Sequence, residues 1–279
     1  MAPSWQVEKL TPRLGAVVDG LDAGALVQSE TFDFLHDLLM DHQVLVIPDF
    51  TRDADSLYEL GRGLGPVSND HHLYLSHPDN ANVVVLEWGG DDRPDAAEWH
   101  SDMTYLPKPP FASVLQSIVV PPAGGDTLWA SMYSVYDALP DGLRSEISEL
   151  SAVHDIGAFR TPAYMAGDVD GLNEALSTTG SAVHPMVTQH PVTGKAYLNV
   201  SESFTRFVIG LSAPESARLL TLLFDLINRP DHHVRLRWSP GTVAIWDNRG
   251  TQHYAVADYF PYRRVMHRVA VTADARSGS

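Results

Sequence analysis

The chain contains no cysteine among its 279 residues. That absence excludes disulfides, thiolate metal sites and cysteine nucleophiles. Positive charge is also scarce: 19 Lys and Arg stand against 35 Asp and Glu, a net charge of −16. Such a balance repels phosphate backbones and anionic membranes, so neither nucleic acid nor a membrane surface is an expected partner. An anionic substrate would have to be held locally by a few placed arginines. Long apolar runs are missing too. The longest, such as VLVIP at 44–48, have strand length and fall far short of a membrane span. The opening residues MAPSWQVEKLTPRLG lack the apolar core of a secretory signal, so a soluble cytoplasmic protein is expected. No GxGxxG follows a strand, and there is no P-loop, HExxH or GxSxG. Rossmann nucleotide binding, zinc peptidase chemistry and serine hydrolysis are therefore disfavoured. No linker, repeat or low-complexity tract divides the chain, so residues 1–279 are read as one domain.

What is present is mostly short β-rich runs. ANVVVLEW (81–88), ASVLQSIVV (112–120), HHVRLRW (232–238) and GTVAIWDN (241–248) carry β-branched and aromatic residues between turn signals. Helical patterns are fewer. SETFDFLHDLLMDH (29–42) repeats apolar residues at helical spacing, with Ser29 as a candidate N-cap. DADSLYELGRGLG (53–65) ends at glycines, and PESARLLTLLFDLINR (214–229) has a strong apolar face. MYSVYDALPDGLRSEISEL (132–150) reads as helical turns interrupted by Pro140. Residues 154–182 lack periodicity and read as a surface loop or active-site lid. Many short strands, a few helices and no βαβ alternation predict a β-sandwich or jelly roll with helical decoration.

The chemistry centres on His100-Ser101-Asp102, inside WHSDMTY at 99–105. On an extended segment, residues two apart project from the same face, so an imidazole and a carboxylate point together. With one distant histidine they would form a 2-His-1-carboxylate triad, which leaves positions open on Fe(II). The chain holds 13 histidines, so one more nearby carries little weight alone. His36, His42, His154, His190, His232 and His233 read as ordinary surface or core residues. The C-terminal block GTVAIWDNRGTQHYAVADYFPYRRVMHRVAV (241–271) is more telling. A strand and short turn lead to His253. In the later strand Arg264, Met266 and Arg268 share one face, and Val265, His267 and Val269 the other. That face is either a solvated surface or a pair of anion clamps turned into a barrel, since guanidinium grips carboxylate or sulfonate bidentately.

With these residues the chain resembles the taurine / 2,4-dichlorophenoxyacetate dioxygenases, which depend on Fe(II) and 2-oxoglutarate. The resemblance covers nearly the whole chain. It is carried by WHSDMTY (99–105), GGDTLWAS (124–131), HPVTGKAYLNV (190–200) and WDNRGTQHYAVADYFPYRRVMHR (246–268). It implies a double-stranded β-helix (jelly roll) core decorated by α-helices, in an enzyme that forms dimers or tetramers. His100, Asp102 and His253 match the iron ligands, whose open positions take 2-oxoglutarate and O2. Arg264 and Thr127 match the residues that hold the distal carboxylate of 2-oxoglutarate. Arg268 matches the residue on the substrate anion, a sulfonate in the taurine enzymes. His71 and Tyr74 align with substrate-binding residues, His72 taking the place of His71 if the loop shifts by one. Phe204 and Phe159 align with an apolar wall.

One position departs from the taurine enzymes. Ala96 replaces an Asn that helps bind the amine, a loss of about 1–3 kcal/mol for a partly buried polar partner. The implied reaction is hydroxylation of a small anionic organic substrate, with succinate and CO2 as co-products. Taurine or another alkylsulfonate leads, releasing sulfite and an aldehyde. Alkyl sulfates, aryloxy-carboxylates and amino-acid-like natural-product precursors follow. Related halogenases lack the carboxylate ligand, so Asp102 favours hydroxylation. A non-catalytic jelly-roll binding protein is the alternative from another class, and the full set of ligands argues against it.

Overall fold

β-Branched and aromatic runs pair into sheets, and the amphipathic segments close over them. The computed structural model describes residues 5–50, 53–68, 74–90, 98–156 and 180–276. The N-terminal half holds β1 (Gln6–Lys9), β2 (Ala16–Asp19), α1 (Ser29–His42), β3 (Val44–Ile47), α2 (Ala54–Leu64), β4 (Val67–Ser68), β5 (Leu75–Ser76), β6 (Val84–Trp88), β7 (Ala112–Val119) and β8 (Thr127–Ser131). There follow α3 (Met132–Asp137), α4 (Asp141–Ser148), β9 (Ser151–Asp155), β10 (Ser181–Pro185), β11 (Val187–Gln189), β12 (Ala196–Leu198) and β13 (Thr205–Val208). The last elements are α5 (Ala213–Ile227), β14 (His233–Leu236), β15 (Val243–Asp247), β16 (Thr251–Ala255) and β17 (Arg264–Val271). The fold is mainly β, a jelly roll with helices outside it.

The helices obey local rules, with one departure. Asp53 caps α2, its carboxylate accepting the Ser56 N–H at 2.8 Å. A capping box between Ser212 and Glu215 starts α5. Helix α1 is not capped by Ser29, which is its first helical residue. Gln28 holds the cap position, and the Ser29 hydroxyl turns to Glu30 instead. Pro140 separates α3 from α4, where its missing N–H is harmless.

The large sheet runs β1-β2-β3-β15-β7-β17-β6-β5, with β4 beside β17; a second sheet runs β14-β8-β16. Pairing is antiparallel except between β2 and β3. Between the two sheets lie Leu86, Leu115, Trp129, Trp238, Trp246 and Met266. On the opposite face of the large sheet, α1 and α2 pack Leu35, Leu39, Leu57, Leu60 and Leu64 against Val114, Ile245, Val269 and Val271. Strands β3 and β15 are therefore buried along their whole length, which is why they read as continuous apolar runs. Strand β17 alternates as its pattern predicts: Met266 enters the space between the sheets, while Val269 and Val271 meet the helices. The side of Met266 is also the side of Arg264 and Arg268.

Strands β9 and β10 pair from Asp155 with Ser181 onward, so the segment between them leaves and returns at one point. Most of the expected lid, residues 157–179, lies outside the described residues. No helix among the described residues is long and apolar enough to cross a membrane.

Helix α2 reaches β17 through a glycine. A Cβ at Gly61 would stand 2.5 Å from Val269 Cγ1. Gly61→Leu should therefore destabilise the protein by about 1–3 kcal/mol through overpacking. Urea denaturation would show it as a lower midpoint at unchanged slope. An unchanged midpoint would mean that α2 does not seat on β17 this closely.

Candidate active site

The site begins with a backbone pairing. The His100 N–H donates to the His253 carbonyl at 3.1 Å, and the His253 N–H returns a bond to the His100 carbonyl at 2.8 Å. This isolated antiparallel bridge sets the two imidazoles side by side, with ring centres 4.1 Å apart. Ser101 strengthens the seam by donating its hydroxyl to the Thr251 carbonyl at 2.7 Å. The expected extended His-x-Asp segment is only one bridge long. Asp102 already belongs to a turn, and the following Met103 takes a left-handed φ of 56°. The turn brings the carboxylate round to the histidines.

Asp102 Oδ1 stands 3.8 Å from His100 Nε2 and 3.8 Å from His253 Nε2. One donor atom from each of the three residues fits within 4.8 Å of the others. Ser113, on β7, donates its hydroxyl to the other oxygen, Oδ2, at 2.7 Å. Burial raises the Asp102 pKa, but Arg268, both histidines and Ser113 outweigh it and hold the carboxylate well below its usual range. His100 Nδ1 lies 2.9 Å from the Glu98 carbonyl, so Nδ1 carries the proton and Nε2 presents its lone pair. Burial, aided by His100, pushes His253 down to about 3, so that ring is neutral near pH 7. Two imidazoles and an ionised carboxylate are the donor set that suits a divalent first-row metal such as Fe(II).

Beside this cluster a cavity of about 150 Å³ opens between the two sheets. His100, His253, Thr127, Arg264 and Arg268 all line it. Thr127, on β8, pairs with Ala255 on β16, two residues beyond His253. Its Oγ1 accepts the Trp238 indole N–H at 3.0 Å, which leaves the threonine O–H free to donate. Arg264 is 4% exposed, and its Nε donates to the Gly125 carbonyl at 3.1 Å. Gly125 has φ 71°, and a Cβ there would press to 3.2 Å of Arg264 Cδ. Burial lowers the Arg264 pKa while Tyr259 and Asp126 raise it, yet no carboxylate among the described residues pairs with its guanidinium. Asp126 is taken up by Arg235 at 2.6 Å. A buried cation without a carboxylate, facing a cavity, is a receptor for an anion.

Arg268 does something the sequence reading did not foresee. Its Nη1 lies 3.3 Å from Asp102 Oδ1, so it pairs with the carboxylate as well as lining the cavity. Tyr74 lines the cavity edge-on to Trp88, with ring centres 6.2 Å apart. Phe204 stands edge-on to His100 at 5.9 Å and to Tyr105 at 5.3 Å. His71, His72, Ala96 and Phe159 lie outside the described residues. Ser113, Asn248, Glu98 and Trp246 also surround the site and were not singled out from the sequence. Of these, Trp246 and Asn248 carried a local signal, through their place in WDNRGTQH. The histidines set aside lie elsewhere: His190 is 2.7 Å from Asp247, and His36 is 3.1 Å from Asp274.

Three buried rings make the protein acid-sensitive. Burial pushes His154 and His253 down to about 3 and His267 to about 4, from an ordinary 6.5. The unfolded chain takes up these protons below about pH 6.5, so it binds more of them than the folded one and stability falls as pH drops from there toward 4. Metal-free protein should have a lower urea midpoint at pH 5 than at pH 7. Equal midpoints would mean that these rings titrate normally in the fold.

Comparison with known proteins places the chain among oxygenases. The family model described as taurine catabolism dioxygenase TauD, TfdA family matches residues 6–270. An alkylsulfatase of Acinetobacter baylyi is 34% identical over 98% of this chain and 87% of its own length. An alpha-ketoglutarate-dependent sulfate ester dioxygenase of Pseudomonas putida is 31% identical over 98% of this chain and 91% of its own. The crystal structure of a taurine dioxygenase from Burkholderia xenovorans superposes with a TM-score of 0.82, at 28% identity, covering 98% of this chain and 90% of that one. The chain belongs to the TauD, TfdA dioxygenase family.

Proposed function

We propose that this protein is an Fe(II)- and 2-oxoglutarate-dependent dioxygenase that hydroxylates an alkyl sulfate ester or alkylsulfonate. The observation that carries the reading is the presence, on one cavity, of the two histidines of the donor triad and of Arg264, a buried guanidinium without a carboxylate partner among the described residues. His100 Nε2, Asp102 Oδ1 and His253 Nε2 would hold the metal. When bound, Fe(II) supplies the oxygen chemistry that turns 2-oxoglutarate into succinate and CO2 and hydroxylates the substrate.

The protein's own contribution is placement. Arg264 would take the distal carboxylate of 2-oxoglutarate through its terminal nitrogens, its Nε being held by Gly125. The Thr127 hydroxyl would add a bond, its oxygen already anchored by Trp238. Arg268 would face the sulfate or sulfonate of the substrate. Leu86, Trp88, Leu115 and Tyr74 give the cavity an apolar wall suited to an alkyl chain. Hydroxylation at the carbon bearing the sulfur group leaves a product that collapses to an aldehyde and sulfate or sulfite. The alkylsulfatase and sulfate ester relatives support this substrate class over an aminoalkyl one.

Oxygen uptake and succinate release with Fe(II), 2-oxoglutarate and a substrate panel test this directly. Alkyl sulfates and alkylsulfonates should give higher kcat/KM than taurine or aryloxy-carboxylates. A preference for taurine would refute the apolar wall as the specificity element. Asp102→Ala should reduce substrate-dependent succinate release to background, and retained turnover would remove the proposed metal centre. Arg264→Ala should raise the KM for 2-oxoglutarate about 30-fold or more, as loss of a buried charge partner costs about 2–5 kcal/mol. An unchanged KM would place the co-substrate elsewhere.

A further inference from the structure

The carboxylate of the triad sits where strand pairing has ended. His100 is held by its bridge to His253, but Asp102 is the first residue of a turn that runs into a left-handed Met103. Among the described residues no strand partner fixes its backbone, and a side chain does so instead. Asn248 Oδ1 accepts the Asp102 N–H at 2.7 Å. Its Nδ2 donates to the Asp102 carbonyl at 2.9 Å and to the Pro110 carbonyl at 3.1 Å. One amide thus imitates the paired donor and acceptor of a β-bridge, and both of its Nδ2 hydrogens are used. The residue is 2% exposed, so water does not compete for these bonds.

Asn248 is itself anchored from both sides. Its own N–H donates to the Phe111 carbonyl at 2.9 Å. The preceding Asp247 meets His190 at 2.7 Å and Arg249 at 3.1 Å. The following Arg249 reaches Asp274 at 3.5 Å and lies over the Phe111 ring at 4.3 Å. Buried charge partners therefore pin the residues on each side of the amide. Ser113 completes the arrangement by engaging Oδ2, which leaves Oδ1 turned to the histidines. Second partners of this kind, which orient a ligand without touching the metal, typically change metal affinity 10- to 100-fold.

We infer that Asn248 is a positioning residue, which fixes the backbone of Asp102 so that its carboxylate meets the metal in the geometry set by His100 and His253. The inference rests on the proposed metal centre. The test uses the whole protein and Co(II) as a stable substitute for Fe(II), with affinity read by calorimetry and thermal unfolding of the metal-free proteins measured alongside. Asn248→Ala should weaken Co(II) binding about 10- to 100-fold. In an Asp102→Ala background the same substitution should add nothing to the loss of Co(II) affinity, because the inferred effect on the metal runs through the Asp102 carboxylate. Leu60→Ala, in the core under α2, should lower thermal stability and leave Co(II) affinity as in the wild type.

Asn248→Asp supplies a second variant if the alanine protein does not fold. It keeps an acceptor for the Asp102 N–H but sets an oxygen against two carbonyls, and it too should bind Co(II) weakly. Wild-type affinity in either variant would overturn the inference, as would an equal loss with and without Asp102. Failure of the wild-type protein to bind Co(II) would overturn the metal centre first, and the inference with it.

Discussion

Everything at the cavity follows from one short antiparallel contact, the bridge between His100 and His253. It joins a segment that leaves the large sheet to β16 of the small one, across more than half of the chain. Without it, two imidazoles from distant parts of the sequence would have no reason to share a face. With it, their ring nitrogens converge, and the turn that follows has only to bring Asp102 round. The cavity beside it is lined from both sheets, by Thr127 and His253 on one side and Leu115, Arg264 and Arg268 on the other.

Electrostatics then divides that cavity into parts. The chain carries a net charge of −16, yet two arginines are buried on one face of β17. Each is handled differently. Arg268 pairs with Asp102 and helps keep that carboxylate ionised in a buried place. Arg264 has a carbonyl and a tyrosine for company and, among the described residues, no carboxylate, so its charge is left for a ligand. In an acidic protein this local cation is the feature that makes an anionic co-substrate welcome. Arg249 shows the contrast: it is only partly buried, Asp247 and Asp274 satisfy it, and it serves the scaffold.

Much of this could be read in the sequence, for reasons that are local. Apolar spacing located α1 at 29–42, and period-two alternation in RVMHRV put Arg264 and Arg268 on one face. His100 and Asp102 were adjacent enough to suspect as a pair. What was out of reach depends on contacts between distant segments. Nothing near Ser113 or Asn248 says that each will meet Asp102, because those bonds exist only once β7, β15 and the 102–105 turn are assembled. The Arg268–Asp102 pairing was missed for the same reason. Ser29 was misread as a cap because Ser is a common one, whereas the chain enters the helix one residue earlier.

A crystal structure of the protein with Mn(II), a redox-stable substitute for Fe(II), and 2-oxoglutarate tests the central claim most directly. The account requires the metal on His100 Nε2, Asp102 Oδ1 and His253 Nε2, with the distal carboxylate of 2-oxoglutarate on Arg264 and Thr127. Metal bound away from those three atoms, or 2-oxoglutarate seated without Arg264, would contradict it.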